Sequence, residues 1–174
     1  MSINKSVPIF LTLVIAVICI SSCAITGGGN MCNKDINAVV ADVLNQSLNP
    51  DSQIRIPDQT FASQYGFAFV LKDIEENRCN ISNAGFSELA KEEFRLVNKR
   101  QLNSEARKRG GSLTYVNIDS VEIDRDVARI AIGARINIWP KKKVALMCCC
   151  GGKMILDQSS EGWVFRDWDY LVCA

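Results

Sequence analysis

LTYVNIDSVEIDRDVARIAIGARINI, residues 113–138, is the stretch that decides the fold. In its second half the side chains alternate with a period of two. Ala128, Ile130, Ile132, Ala134, Ile136 and Ile138 share one face, while Arg129, Arg135 and Asn137 share the other. Successive side chains of a strand point to opposite faces, so this alternation predicts half-buried strands. Asp124-Arg125-Asp126 interrupts the pattern and separates a strand over 113–123 from one over 127–138. Pro140-Lys141-Lys142-Lys143 then leads to a third strand at about 144–157, and Ser159–Gly162 turns into a fourth over 163–173. Consecutive strands joined by short connections predict an antiparallel meander.

Helical spacing dominates before residue 113. Ile36, Val39, Val40, Val43, Leu44 and Leu48 form a stripe over 33–48, which Asn33 or Asp35 can cap and which stops before Pro50. Ile54-Arg55-Ile56 reads as a short strand or a connector. Residues 58–76 carry both periods: Phe61, Tyr65, Ala68 and Phe69 are spaced as on a helix, whereas Tyr65, Phe67, Phe69 and Leu71 alternate. Asp58 after Pro57 is a plausible cap, so this stretch is read as helix. Another helix starts at Ser82 or Asn83, with Phe86, Leu89, Ala90, Phe94 and Val97 on one face. Its end is rich in positive charge (Arg100, Arg107, Lys108, Arg109), complementing the helix dipole, and Gly110-Gly111 supplies the stop. The predicted class is α+β, with N-terminal helices packed on a four-stranded antiparallel meander sheet in a single domain over 32–174.

The N-terminus carries a different signal. Lys5 precedes a nearly unbroken apolar run from Val7 to Ile20, only fourteen residues long and containing Pro8, followed by Ile20-Ser21-Ser22-Cys23. That length suits a secretory signal better than a membrane span. The quartet resembles the bacterial lipobox; the other reading is an ordinary signal cleaved near Ser22 or Ala24. Cys19 does not fit, because Ile18 stands where a small residue is needed. The resemblance implies a lipoprotein signal peptide over 1–22, lipidation of Cys23 with acyl chains such as palmitate, and an exported protein anchored to membrane lipid. Ala24 after the cysteine implies the outer membrane, facing the periplasm. Residues 23–31, with Gly27-Gly28-Gly29, read as a flexible tether.

The whole chain has 20 basic and 19 acidic residues. Removing 1–22 takes away Lys5 and no acid, which leaves 19 of each. A neutral chain without a basic stripe is a poor nucleic-acid binder. Histidine is absent, which removes the commonest general base and metal ligand and excludes Ser/His/Asp and Cys/His catalysis. No cofactor is expected.

Beyond Cys19 and Cys23, six cysteines remain: Cys32, Cys79, Cys148, Cys149, Cys150 and Cys173. An even number in an exported chain suggests disulfides. Cys148-Cys149-Cys150 lacks the spacing of a zinc site, and adjacent strand residues point apart, so no metal is expected. A two-residue Glu161-Gly162 turn would set Ser160 opposite Trp163 and Cys150 opposite Cys173. A longer Ser159–Gly162 loop would favour Cys148, and a bulge at Gly151-Gly152 would favour Cys149. Cys149 could otherwise reach Cys32 or Cys79.

The helices-then-sheet order, the hairpin and alternating strand within Val121–Ile138, and Ser160-Glu161-Gly162-Trp163-Val164-Phe165 together resemble the NTF2-like or cystatin-like superfamily. That resemblance implies a curved sheet enclosing a cone, which in the enzymes holds Asp with Tyr or His. Asp119, Asp167, Asp169, Tyr115 and Tyr170 match no such spacing, so no catalytic residue is carried over. Trp163, Phe165, Trp168 and Tyr170 are the candidates for lining a pocket, with core packing as the plainer reading. Asp167 and Asp169 are expected to pair with Lys153 or the arginines of the second strand. The functional expectation is a membrane-anchored cell-envelope lipoprotein acting as a non-catalytic binding or interaction module, whose partner is an envelope protein or a small ligand. The alternatives are an NTF2-like enzyme using Asp/Tyr acid–base chemistry, and an envelope assembly component or toxin-neutralising lipoprotein.

Overall fold

Four apolar residues in a row, Ala68-Phe69-Val70-Leu71, form a strand that is buried along its whole length. A strand apolar on both faces needs cover on both, and the rest of the molecule supplies it. A computed structural model describes residues 30–54, 56, 66–138 and 150–173, with 138 and 173 described by their backbone alone. Its elements in chain order are α1 (Lys34–Ser47), β1 (Ala68–Leu71), β2 (Asp73–Ile74), β3 (Cys79–Asn80), α2 (Glu88–Glu93), β4 (Phe94–Val97), α3 (Lys99–Lys108), β5 (Ser112–Asp124), β6 (Val127–Ile138), β7 (Cys150–Ser159) and β8 (Gly162–Cys173).

Six strands form one sheet in the order β4-β1-β5-β6-β7-β8, and β2 pairs with β3 separately. β1 runs parallel to both of its neighbours, whereas β5 to β8 are antiparallel in succession. Each helix starts on a side-chain cap. Asn33 accepts from the Ile36 N–H, Ser87 from Ala90, and Asn98 with Gln101 completes a capping box on α3. On one face of the sheet, Val39, Val40, Val43 and Leu44 of α1 meet Val70, Val116, Ile118, Ile130, Met154, Leu156 and Trp163. On the other face, Phe69, Val97 and Leu113 pack with Leu102 and Ala106 of α3.

These findings correct the expected architecture. The sheet is mixed and six-stranded, not a four-stranded antiparallel meander, and the helices are few and interspersed with strands. Residues 58–76 carried both periods, with the cap favouring helix; 68–71 and 73–74 are strands, so the alternating reading holds there, and residues 57–65 lie outside the described residues. The single helix expected from Ser82 or Asn83 onward is two helices separated by β4. Phe94 and Val97 share a face at helical spacing, yet in a strand residues three apart point oppositely. Phe94 enters the larger core and Val97 the smaller, so β4 satisfies both cores at once. The Lys141–Lys143 connection and the 144–149 part of the expected third strand also lie outside the described residues.

The turn before β8 is Ser160-Glu161, with Ser159 opposite Gly162, one residue earlier than the expected Glu161-Gly162 turn. Two register shifts along β8 compensate, and Cys150 lies directly across from Cys173. Near the same end, the Trp168 ring lies against Gly152 of β7. A β-carbon on Gly152 would collide with the Tyr170 carbonyl and come within 2.8 Å of that ring, so only glycine allows this approach. Cys32 and Cys79 form a disulfide beside a backbone bond from the Cys32 N–H to the Asn80 carbonyl.

Candidate functional site

The sheet face turned away from α1 carries a shallow groove, which starts from an irregularity in β5. Ile118 pairs with Ile132 and Ser120 with Ala131, leaving Asp119 as the extra residue of a bulge. A bulge re-aims side chains and bends its strand. Here it keeps Val121 in the core after Ile118, while the Asp119 carbonyl accepts from the Glu76 N–H. The Asp119 carboxylate accepts from Asn117 Nδ2 at 2.6 Å and from Arg135 Nη2 at 2.8 and 2.9 Å.

Two adjoining hollows of about 330 and 280 Å³ share Asp119, Ala131 and Tyr170. Glu75, Glu76, Glu122 and Lys153 line one; Gly133, Arg135 and Gly151 line the other. Gly133 and Gly151 face each other so closely that a β-carbon on Gly133 would lie 2.9 Å from the Gly151 α-carbon. With Ala131, they leave a floor of nearly bare backbone. Most charges around it are held in exposed pairs: Lys153 with Glu122 at 2.9 Å, Arg135 with Asp119, and Lys99 with Glu75. The Lys99 hydrogen bond holds the Glu75 carboxyl below its ordinary range and raises the Lys99 ammonium in turn. Burial beside α3 pushes the Tyr115 hydroxyl up, against the opposing pull of Arg135 and Lys99.

A second feature lies along β8, an edge of the sheet. α1 reaches over its first residues: the Trp163 N–H donates to Asp42 Oδ2 at 2.8 Å and the Phe165 N–H to Gln46 Oε1 at 3.2 Å. Gln46 Nε2 donates to the Trp163 carbonyl at 2.5 Å. Burial raises the Asp42 carboxyl above its usual range, and the Trp163 N–H partly reverses this. Further on, the Trp168 N–H donates to Asp167 Oδ1 at 2.7 Å. Side chains thus occupy edge groups that would otherwise be open to another strand.

The four aromatic pocket candidates are scattered. Trp163 is buried in the larger core; Phe165 and Trp168 pack on that core and meet each other edge to face, with ring centroids 6.0 Å apart. Phe165 also borders a small recess with Gln46, Asn49, Ser52, Gln53 and Arg166. Only Tyr170 reaches the groove described above. Tyr115 and Asp119 come together around Arg135, which pairs in register with Tyr115. Lys153 and Arg135 do not take the expected Asp167 and Asp169 as partners but bind Glu122 and Asp119. Cys23 lies outside the described residues, as do Cys148 and Cys149. Cys150 is disulfide-bonded. Sequence reading passed over Glu75, Glu122, Asp42 and Gln46, whose roles depend on register and on a helix crossing a strand edge. The available signal was Gly133 inside the alternating strand over 127–138.

Among the described residues, no group of three or more acidic or cysteine side chains is placed to hold a metal ion, and no helix is long and apolar enough to cross a membrane. No family model matches the chain, nor does any curated protein or solved structure match it significantly.

Proposed function

We propose that the chain is an exported lipoprotein, held at a membrane through Cys23, whose domain acts as a non-catalytic binding module in the cell envelope. The observation that carries this reading is the Cys32–Cys79 disulfide, which opens the described domain nine residues after Cys23. Disulfides persist in oxidising compartments, and this one locks the point where the tether meets the fold. The signal-like Lys5, the apolar run and the Ile20-Ser21-Ser22-Cys23 quartet supply the route out of the cell. Several acyl chains on one cysteine would hold firmly, since each buried methylene adds about 0.8 kcal/mol and one chain alone is marginal. The groove around Asp119, Arg135, Lys153 and Tyr170 offers recognition chemistry in its patterned charge and exposed aromatic ring. Replacing Cys23→Ser is expected to move the protein from the membrane fraction to the soluble exported fraction. A Cys23→Ser protein that stays in the membrane would overturn the anchor.

The same reading assigns Cys150 to Cys173. The two face each other across β7 and β8, and a link there would tie down the end of the edge strand. Peptide mapping without reduction should recover Cys150 joined to Cys173. A peptide joining Cys150 to Cys148 or Cys149 would contradict the pairing.

A further inference from the structure

We propose that the last part of β8, residues 169–172, is a docking edge to which an extended segment of another exported protein adds as a strand. Its apolar side chains would rest beside Leu171 on one face, and on the other a lysine or arginine would pass Val172 and Tyr170 into the groove that Tyr170 borders. The inference rests on the binding-module reading above and names the partner's chemistry.

Where protection of the edge stops carries the argument. From Trp163 to Trp168 the edge is covered by Asp42, Gln46 and Asp167. Beyond it, Tyr170, Leu171 and Val172 are 52%, 53% and 60% exposed. With Val164, they make β8 the strand with the most exposed large apolar side chains among the described residues. An edge that is guarded along one half and, among the described residues, left apolar and open along the other is a template for strand addition.

Charge selects the occupant. Glu75, Asp119 and Glu122 of the hollow beside Tyr170 are paired with Lys99, Arg135 and Lys153, which leaves Glu76 as its surplus negative charge among the described residues. Along the strand, Arg166 is taken by Asp157, so Asp167 and Asp169 leave the open end acidic. A second copy of β8 would bring its own Asp167 and Asp169 to the same place, which like-charge repulsion disfavours. An extended segment of alternating apolar and basic residues meets both the open edge and the acidic hollow.

The test uses the full-length protein in detergent and three labelled hexapeptides followed by fluorescence anisotropy. One alternates lysine and valine, one alternates glutamate and valine, and the third is the lysine peptide N-methylated at alternate residues. The lysine peptide is expected to bind about tenfold more tightly than the glutamate peptide, and Glu76→Lys with Glu122→Lys should weaken it about tenfold. The N-methylated peptide should lose binding, because strand addition needs its N–H groups. Absent binding, equal binding of the lysine and glutamate peptides, or full binding of the N-methylated one would overturn the proposal. So would a dimer of the chain that Leu171→Ser dissolves, which would make a second copy the occupant. Failure here leaves the Cys23→Ser fractionation result standing, and failure of the anchor leaves peptide binding standing, so the two claims fall separately.

Discussion

Phe69→Ala should lower the stability of the domain by about 3–5 kcal/mol, the largest effect expected of any single core truncation here. Phe69 is almost completely buried in the middle of β1, between parallel partners on either side. It is the centre of the smaller core, where Val97, Leu102, Ala106 and Leu113 surround it and Phe67 meets it edge to face at 5.0 Å. Few other large side chains share that core, so little is available to collapse into the space a phenyl ring leaves. Without it, α3 loses part of its packing on the sheet. Chemical denaturation followed by tryptophan fluorescence checks this: Trp163 sits in the larger core and Trp168 packs against it, so both report global unfolding. A loss below about 1 kcal/mol would mean that α3 does not pack on β1 as described.

Cys32→Ser should cost about 4 kcal/mol, as chain entropy predicts for a loop of this length. The bond joins residues 47 apart, and the loop it closes contains α1 and β1. Both sulfurs lie in the larger core, so an added hydroxyl there would deepen the loss. Denaturation of the oxidised wild type against Cys32→Ser and Cys79→Ser measures the effect. Two variants that lose the same amount would locate the loss in the bond they share. A midpoint unchanged by either would show that the pairing is absent in solution.

The half of the fold after residue 112 was legible because its signals are local. Alternation in 127–138 and turn residues at 124–126 define β5 and β6 without reference to anything distant. The half before it was less legible for a physical reason. Ala68–Leu71 is buried on both faces, so apolar and polar residues do not alternate within it, and a short apolar run of that kind reads as helix or strand alike. At 94–97 the helical spacing of Phe94 and Val97 was real but served two cores on opposite faces. Parallel pairing of β1 with β4 and β5 is non-local and leaves no mark in any single segment.

The candidate site was less legible still. Tyr115, Asp119 and Tyr170 were singled out as residue types, but what gathers Asp119 and Tyr170 is a bulge in one strand and register shifts in another. The register of Cys150 with Cys173 was anticipated through a turn that lies one residue from its expected place, the difference being made up by the irregularities of β8. Asp42 looked like an ordinary polar residue of α1. Its role at the strand edge exists only because the helix crosses Trp163.

The central claim is that the protein is exported and anchored through Cys23. The direct measurement is the mass of the N-terminal peptide of the protein isolated from membranes. The expected result is a chain that begins at Cys23 and carries covalently attached acyl chains. An N-terminus at Ala24 or at any other residue, or an unmodified Cys23, would contradict it.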